Sequence, residues 1–401
     1  MIGDIMNKYG GGLNQENIQN MNRTLILNLL RKEGVCSRVH LSHLSQLKQA
    51  TVTNIVNDFL QWGIVKEVGF LVGSKGRRSI GISINNEDFA VLSIRLARTN
   101  YSVGVFNLSG GMIKSERIEY NPGQYSGETF QSIINNAKKI IANSQDRKIL
   151  AIGMAIPGPY SERRGRIELM TGVIGWDQIP IKESLQEVFK IPVFIEQDAN
   201  AGALAQFWHS ERDFEKGILI YIAVGQGIGA GIINNGRLVK GSIGVAGEIG
   251  HTSINFNGPT CACGNRGCLE NYCSSTAFLK RLNEELDLDH TVSFKQASEL
   301  VKNGDKKAVT IYTDICTKLA FGVVNVINSF NPSVIILGDE MAHVLPELML
   351  ECVKKVVKTM VIPEIYKNTE ITMSVVKNDS MSHGAAIVAI NDIFFTPDLY
   401  F

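Results

Sequence analysis

Apolar residues recur at three- and four-residue intervals through Asn17–Glu33 (Ile18, Met21, Leu25, Ile26, Leu29, Leu30), and the run stops at Gly34. That spacing predicts an amphipathic helix with those residues inward. Ser37 can cap a second helix reaching about Ser45. In a third, Gln49–Trp62, the residues Val52, Ile55, Val56, Phe59 and Leu60 share one face. Its opposite face, near the start, offers Gln49, Thr51, Thr53 and Asn54, although Lys48 stands where a capping Ser would serve better. Two β-rich runs follow, Ile64–Val72 and Ser79–Ile84, flanking Gly73-Ser74-Lys75-Gly76. They read as a hairpin with Lys75, Arg77 and Arg78 at or beside its tip.

From Phe89 onward the pattern changes to short strands. Residues 91–113 read as three strands with turns near Ala97-Arg98 and at Ser109-Gly110-Gly111. Residues 218–239 repeat that plan, with turns at Gly225–Gly229 and Asn234-Asn235-Gly236. A unit recurring after about 126 residues predicts two related lobes, since solenoid periods are shorter. Helical stretches such as Thr129–Asn143 and Asp305–Asn328 lie between and after the meanders. The expected class is α/β, mixed sheets with helices on their faces.

Composition narrows the picture. A chain of 401 residues with 44% hydrophobic and 20% charged positions is neither disordered nor fibrous. At roughly 100–200 residues per domain it holds two to four domains. No apolar run reaches the ~18 residues of a membrane span, and the opening MIGDIMNKYGGGLNQ lacks the apolar core of a secretory signal. The expectation is a cytoplasmic protein without a membrane partner. The net charge of +1 conceals an asymmetry. Residues 1–84 hold ten Lys/Arg and five acids, or +5, and the remainder hold 30 bases and 34 acids, or −4. A basic head on a mildly acidic body fits an appended nucleic-acid-binding module. Helix, short turn, helix and basic hairpin together read as a winged helix-turn-helix. The polar start of the third helix would enter the major groove and Lys75, Arg77 and Arg78 would reach the backbone or minor groove. The same spacing also serves a three-helix protein–protein module.

Seven cysteines, an odd number, argue against a disulfide framework. Cys261, Cys263 and Cys268 crowd together and, with His251, supply three thiolates and one imidazole, a closed tetrahedral set suited to structural Zn²⁺. Cys273 is expected to pack in a helix instead. Gly227-Ile228-Gly229-Ala230-Gly231 lies inside a strand meander and lacks the βα turn of a dinucleotide fingerprint.

The motif Gly247-Glu248-Ile249-Gly250-His251, followed by Cys261-Ala262-Cys263-Gly264-Asn265-Arg266-Gly267-Cys268-Leu269-Glu270, resembles the ROK family of repressors, open reading frames and kinases. Ala155-Ile156-Pro157-Gly158-Pro159, Glu196-Gln197-Asp198-Ala199-Asn200 and Gly384-Ala385-Ala386 add to the likeness, which covers practically the whole chain and points to the winged-helix repressor branch. The resemblance implies a two-lobed, actin-like body of the sugar-kinase type. The expected boundaries are 1–86 for the winged helix-turn-helix, 87–200 for the first lobe completed by about 384–401, and 201–383 for the second lobe, with the zinc site and a dimerisation surface. It also assigns zinc to His251, Cys261, Cys263 and Cys268, and a sugar to Gln197, Asp198, Glu248, His251 and Glu270. Asp198 occupies the position of a kinase's base.

Two positions depart from the family's sugar site. Gln197 is one methylene longer than the family's Asn, and Gly172-Val173-Ile174-Gly175-Trp176 loses a polar contact. The phosphate-binding side departs further. Where family kinases carry Asp-x-Gly-Gly-Thr this chain has Arg95-Leu96-Ala97-Arg98-Thr99, and Gly-Gly-Gly has become Gly338-Asp339-Glu340. The second phosphate loop, usually Gly-Thr-Gly, reads Gly225-Gln226-Gly227. Phosphoryl transfer needs a held metal ion and backbone donors closing on the phosphates, so ATP binding and catalysis are not expected. The resemblance therefore implies a sugar-responsive repressor of carbohydrate (for example xylose) metabolism genes, binding operator DNA as a homodimer or tetramer. The alternative is an ATP-dependent sugar kinase with an appended DNA-binding head.

Overall fold

The computed structural model describes residues 15–401 except 73–77, 145, 159, 162–164, 168–174, 211–216, 287–291 and 377–378. The head comprises α1 (Gln15–Glu33), β1 (Cys36–Ser37), α2 (Arg38–Ser45), α3 (Gln49–Trp62), β2 (Val65–Val72) and β3 (Arg78–Ile84). Its core is Ile26, Leu27, Leu30, Leu41, Val52, Val56 and Phe59, all buried. Ser37 caps α2, its hydroxyl accepting from the His40 amide at 3.2 Å, and Lys48 begins α3 without a side-chain cap. The strands form a three-stranded sheet in the order β1-β3-β2. The inward face of α1 differs from the apolar stripe expected of it. Ile18 is exposed while Asn17, Asn20 and Thr24 are buried with Ile26, Leu27 and Leu30. The reason is local hydrogen bonding: the Thr24 hydroxyl lies 2.8 Å from the Asn20 carbonyl and 3.1 Å from that of Phe394, so a polar face is tolerated inside.

Chain contacts group the head with the first lobe. One unit comprises the chain up to Ala155, Pro180–Ile195 and Ala385–Phe401, and the other Ile156–Ile179 and Glu196–Gly384. This differs from the expected boundaries in three respects: residues 1–86 are not set apart, Ile156–Ile179 joins the second unit, and the division falls before Glu196 rather than after Asn200. Arg23 explains the first. Its guanidinium bonds Asp58 at 3.0 Å, lies 3.8 Å from Asp398 and stacks on Trp62, while Phe89 meets Phe401 edge-on.

The first unit carries β4 (Phe89–Leu96), β5 (Asn100–Asn107), β6 (Met112–Glu119), α4 (Ser126–Ala142) and β7 (Lys148–Ile156), whose last residue belongs to the second. A two-stranded ribbon, β8 (Tyr160–Ser161) with β9 (Arg166–Ile167), lies in the second unit. The first unit resumes with α5 (Ile181–Phe189) and β10 (Val193–Gln197), which crosses the division. The second unit continues with α6 (Asp198–His209), β11 (Ile218–Val224), β12 (Ile228–Asn234), β13 (Arg237–Leu238), α7 (Glu270–Cys273), α8 (Ser275–Leu286), α9 (Phe294–Lys302), α10 (Lys306–Phe330), β14 (Val334–Gly338), α11 (Pro346–Met360), α12 (Pro363–Asn368) and β15 (Glu370–Met373). Helix α13 (Ser380–Phe395) also crosses the division.

The two sheets have one plan. Their orders are β6-β5-β4-β7-β10 and β13-β12-β11-β14-β15. In each, an antiparallel meander is extended by a parallel strand, β7 beside β4 and β14 beside β11. The repeat seen in 91–113 and 218–239 is therefore a repeat of topology. Among the described residues α10 is the one helix long and apolar enough to cross a bilayer. Its Ile311, Tyr312, Ile315, Leu319, Val323 and Ile327 are instead buried in the core of the second unit, and Asp314 and Lys318 interrupt it.

Candidate functional site

In the head, the turn after α2 passes through Gln46, whose φ of 58° reverses the chain into α3. Gln49 and Asn54 are exposed and Thr51 and Thr53 half-buried on the outer side of α3. Thr53 spends its hydroxyl proton on the Gln49 carbonyl at 2.8 Å, leaving only its lone pairs for a partner. Asn57, one turn beyond Asn54 and exposed, extends the same stripe; the helical period was the signal that could have found it. Arg78 is exposed at the start of β3, while Lys75 and Arg77 lie outside the described residues.

The sulfur ligands converge in the second unit. Bridges Ser253↔Cys268 and Thr260↔Arg266 pin the loop ends, and the Cys261 amide donates to the Asn265 carbonyl at 2.7 Å. Gly264 and Gly267 turn with φ of 91° and 65°, as a loop curling on an ion requires. The ligand atoms of His251, Cys261, Cys263 and Cys268 all lie within 4.8 Å of one another. Cys263 Sγ is 3.7 Å from Cys268 Sγ, and Cys261 Sγ is 3.8 Å from His251 Nδ1. A tetrahedron with metal–sulfur bonds of ~2.3 Å places its sulfurs ~3.8 Å apart, so the donor set fits an ion. Burial, and then Cys261 and Cys263 nearby, push the Cys268 thiol up to about 12. The backbone N–H of Asn265 pulls that of Cys263 down. A divalent cation held there would favour the thiolate form of its sulfur ligands. Cys273 stays apart, buried in α7.

The same histidine turns its other nitrogen to a carboxylate. His251 Nε2 is 3.8 Å from Glu248 Oε2, and Glu248 Oε1 accepts from Gln197 Nε2 at 2.6 Å. Three of the five residues expected to hold a sugar are thus joined in one chain ending at the sulfur cluster. Of the other two, Asp198 heads α6 with Oδ1 on the Ala199 amide at 2.6 Å, and Glu270 Oε2 accepts from the Ile228 amide at 3.1 Å. Beneath them is an ion pair that sequence reading did not single out. The buried Glu196 takes Lys240 Nζ at 2.7 Å on one oxygen, and Asn200 Nδ2 (3.0 Å) and the Gln197 amide (3.1 Å) on the other. Glu196 was visible within the Glu196–Asn200 motif, but Lys240 carried no signal.

Around Gly225-Gln226-Gly227 and Gly338-Asp339-Glu340 the chain packs on itself. Asp339 presses its carboxylate on Gly225, with Oδ2 occupying the space into which a Cβ would project. The Ser275 hydroxyl bonds Glu340 Oε1 at 2.5 Å and its amide bonds the Gly225 carbonyl at 2.8 Å. Thr276 Oγ1 donates to the Gln226 carbonyl. In the first unit Arg95 is buried in β4, and Tyr120 Oη donates to the Ala97 carbonyl at 2.5 Å. Val173 and its neighbours 172 and 174 lie outside the described residues.

Paired lobes of one sheet plan, a winged head and a Cys₃His loop tied to a carboxylate cluster define a sugar-kinase-type fold bearing a helix-turn-helix. The ROK family profile matches residues 91–392. A xylose repressor of Caldicellulosiruptor bescii is 30% identical over 95% of this chain and 98% of its own. The N-acetylglucosamine repressor of Escherichia coli O157:H7 is 28% identical over 94% and 93%. Among solved structures, a ROK family transcriptional regulator described as a homolog of the E. coli MLC protein superposes with a TM-score of 0.79 at 23% identity, over 96% of this chain and 99% of its own. A ROK hexokinase from Thermus thermophilus gives 0.62 at 26%, over 76% and 99%. The regulator matches nearly the whole chain and the kinase about three quarters of it. The chain belongs to the ROK family, in its branch of winged-helix repressors.

Proposed function

We propose that the protein is a sugar-responsive transcriptional repressor of carbohydrate metabolism genes, releasing operator DNA when a sugar or sugar derivative binds the second unit. The observation that supports this is the coexistence, in one chain, of a helix-turn-helix head and the linked Gln197–Glu248–His251 side chains, with Asp339 pressed on Gly225 and Ser275 bonded to Glu340. Gln49, Thr51, Thr53 and Asn54 read base edges, and Lys75, Arg77 and Arg78 neutralise phosphates. Glu248 accepts sugar hydroxyls together with Gln197, Asp198 and Glu270, and His251 steadies Glu248. Zn²⁺ in the Cys₃His set supplies structural closure, because four protein ligands leave no place for a catalytic water. The protein acts as a homodimer, since one winged helix buries little DNA surface and paired heads read a palindrome. The sugar shifts a population: it favours one conformation of the body, in which the paired heads no longer match the operator.

The names of the relatives put xylose and N-acetylglucosamine first in a ligand screen. Thermal-shift titration should raise the melting midpoint with one sugar, and that sugar should release an operator fragment in a mobility-shift assay. A coupled ADP-release assay with the same panel tests the kinase alternative, and no turnover is expected; sustained turnover near the 1–100 s⁻¹ typical of kinases would reverse the assignment.

A further inference from the structure

The inner face of the hairpin in the head runs on past the core that it serves. Along β3 the side chains of Arg78, Ile80, Ile82 and Ile84 share one face, since alternate residues of a strand point the same way. Ile82 and Ile84 are buried, whereas Ile80 is 37% exposed and Arg78 lies outside. Across the ladder Ile80 faces Phe70 of β2, which is 69% exposed. That pairing depends on a bulge. Glu67 opposes Ile82, so an unbroken register would set Phe70 opposite Ser79 and turn it to the other face. Instead Val68 and Gly69, the latter with a φ of 97°, together oppose Gly81, and the extra residue swings Phe70 beside Ile80. Val68 and Leu71 go to the opposite face, where a Cβ on Gly81 would lie 3.2 and 3.3 Å from their side chains. Aiming a phenylalanine into water beside an isoleucine is costly unless a partner covers the pair.

Resting on the reading of the head as DNA-binding, we propose that Phe70 and Ile80 form an apolar wedge that enters the minor groove of the operator, Phe70 parting a base step and Ile80 packing on the adjoining deoxyribose. Two observations favour DNA over an apolar protein surface. Arg78 lies next beyond Ile80 on the same face, and residues 1–84 hold ten Lys/Arg against five acids, so the pair is offered in surroundings that suit a phosphate-lined groove. Glu67, the one acid of β2 and β3, is offset by Arg38, which also ties the wing to the polar stripe of α3. Arg38 Nη2 lies 3.4 Å from Glu67 Oε1 and 3.5 Å from Asn57 Oδ1, so wing and helix present themselves to one partner. A minor groove about 6 Å wide admits the edge of a phenyl ring. Apolar side chains inserted there unstack a step and kink the duplex, which costs least at pyrimidine–purine steps. The wedge therefore reads deformability where no hydrogen bond is made, and each half-site should carry a flexible step at a fixed distance from the bases that α3 reads.

The test is a cycle between base step and side chain. The full-length protein first selects its site from random duplexes about three helical turns long. Fluorescence anisotropy then compares wild type, Phe70→Ala, Phe70→Leu and Arg78→Ala on the selected duplex and on one whose flexible step is replaced by a stiff AA step. A third duplex carries 2-aminopurine at that step. Phe70→Ala should weaken binding about tenfold, the scale of one aromatic contact with a base, with the salt slope unchanged because no phosphate contact is lost. Phe70→Leu should keep most of the affinity, and Arg78→Ala should lower the salt slope by about one. Stiffening the step should cost wild type about tenfold and Phe70→Ala nothing. The 2-aminopurine should brighten when wild type binds and stay dark with Phe70→Ala. Phe70 is exposed, so the variants should melt with wild type, and the two altered duplexes test the wedge in wild type alone. Equal affinity of Phe70→Ala and wild type, with no change in 2-aminopurine signal, would overturn the wedge and leave the DNA-binding head standing. Dissociation of a dimer by Phe70→Ala in sedimentation velocity would assign the pair to a second copy of the chain and overturn the wedge likewise. Failure of wild type to enrich any duplex would overturn both.

Discussion

At the scale of single residues, chemical type was legible and partnership was not. Three cysteines within eight positions and a Glu-x-x-His spacing announce a cluster of donors able to hold a metal ion. Nothing in the sequence shows that His251 faces the thiols through Nδ1 and Glu248 through Nε2. That division of one ring ties the Cys₃His cluster to Glu248, so on the proposed reading Cys268→Ser should lose bound metal, read by elemental analysis, and lower the melting midpoint. It should also weaken sugar binding although Cys268 is not one of the sugar residues. Normal sugar affinity in metal-free protein would show that the two sites are independent. Arg23 is a second case. An ordinary basic residue of a basic head proves to be largely buried, holding Asp58 and stacking on Trp62. Arg23→Ala should cost about 1–3 kcal/mol of stability, the scale of a hydrogen bond to a charged group, visible as a lower urea midpoint.

Secondary-structure elements were the most legible level. The third helix was expected over Gln49–Trp62 and is found there, because a 3.6-residue apolar period bounded by a short turn and Gly63 leaves little choice. Ser37 was expected to cap α2 and does, so Ser37→Ala should cost about 1 kcal/mol, measured by thermal melting. Failure came where burial was decided by what lies opposite: α1 turns Asn17, Asn20 and Thr24 inward because distant residue Phe394 accepts from Thr24. α13 carries a pH dependence of the same distant origin. Burial holds His383 below its ordinary 6.5, with Asp379 opposing weakly and His209 packed edge-on. The unfolded chain then takes up a proton first, so this contribution is complete above about pH 6.5 and is lost as pH falls below it. His383→Phe should flatten the fall in melting temperature between pH 7.5 and 5.5; an unchanged slope would remove His383 from the account.

For the whole molecule, the duplicated meander was readable because both copies repeat the same apolar runs and turns. Its completion by β7 with β10, and by β14 with β15, depends on crossovers too long for local pattern to fix. The packing of the head beside the C-terminal segment within one unit was likewise invisible. At this scale the prediction concerns operator binding. Asn54→Ala should cost about 1–3 kcal/mol and relax preference at one base position, whereas Arg77→Ala should weaken binding to all sequences and lower the salt slope by about one. Fluorescence anisotropy on matched and mutated operators at several salt concentrations separates the two.

Local covalent pattern was sufficient for whatever depends on neighbours within a few turns: the helices of the head, the hairpins of both meanders and the sulfur-rich loop. Period and ligand spacing are properties of a short stretch of backbone. The pairing of Gln197 with Glu248, the Lys240–Glu196 ion pair beneath them and the polar inner face of α1 were decided only when remote segments met. Whether a polar atom can be buried depends on whether a partner arrives, and no single segment carries that information.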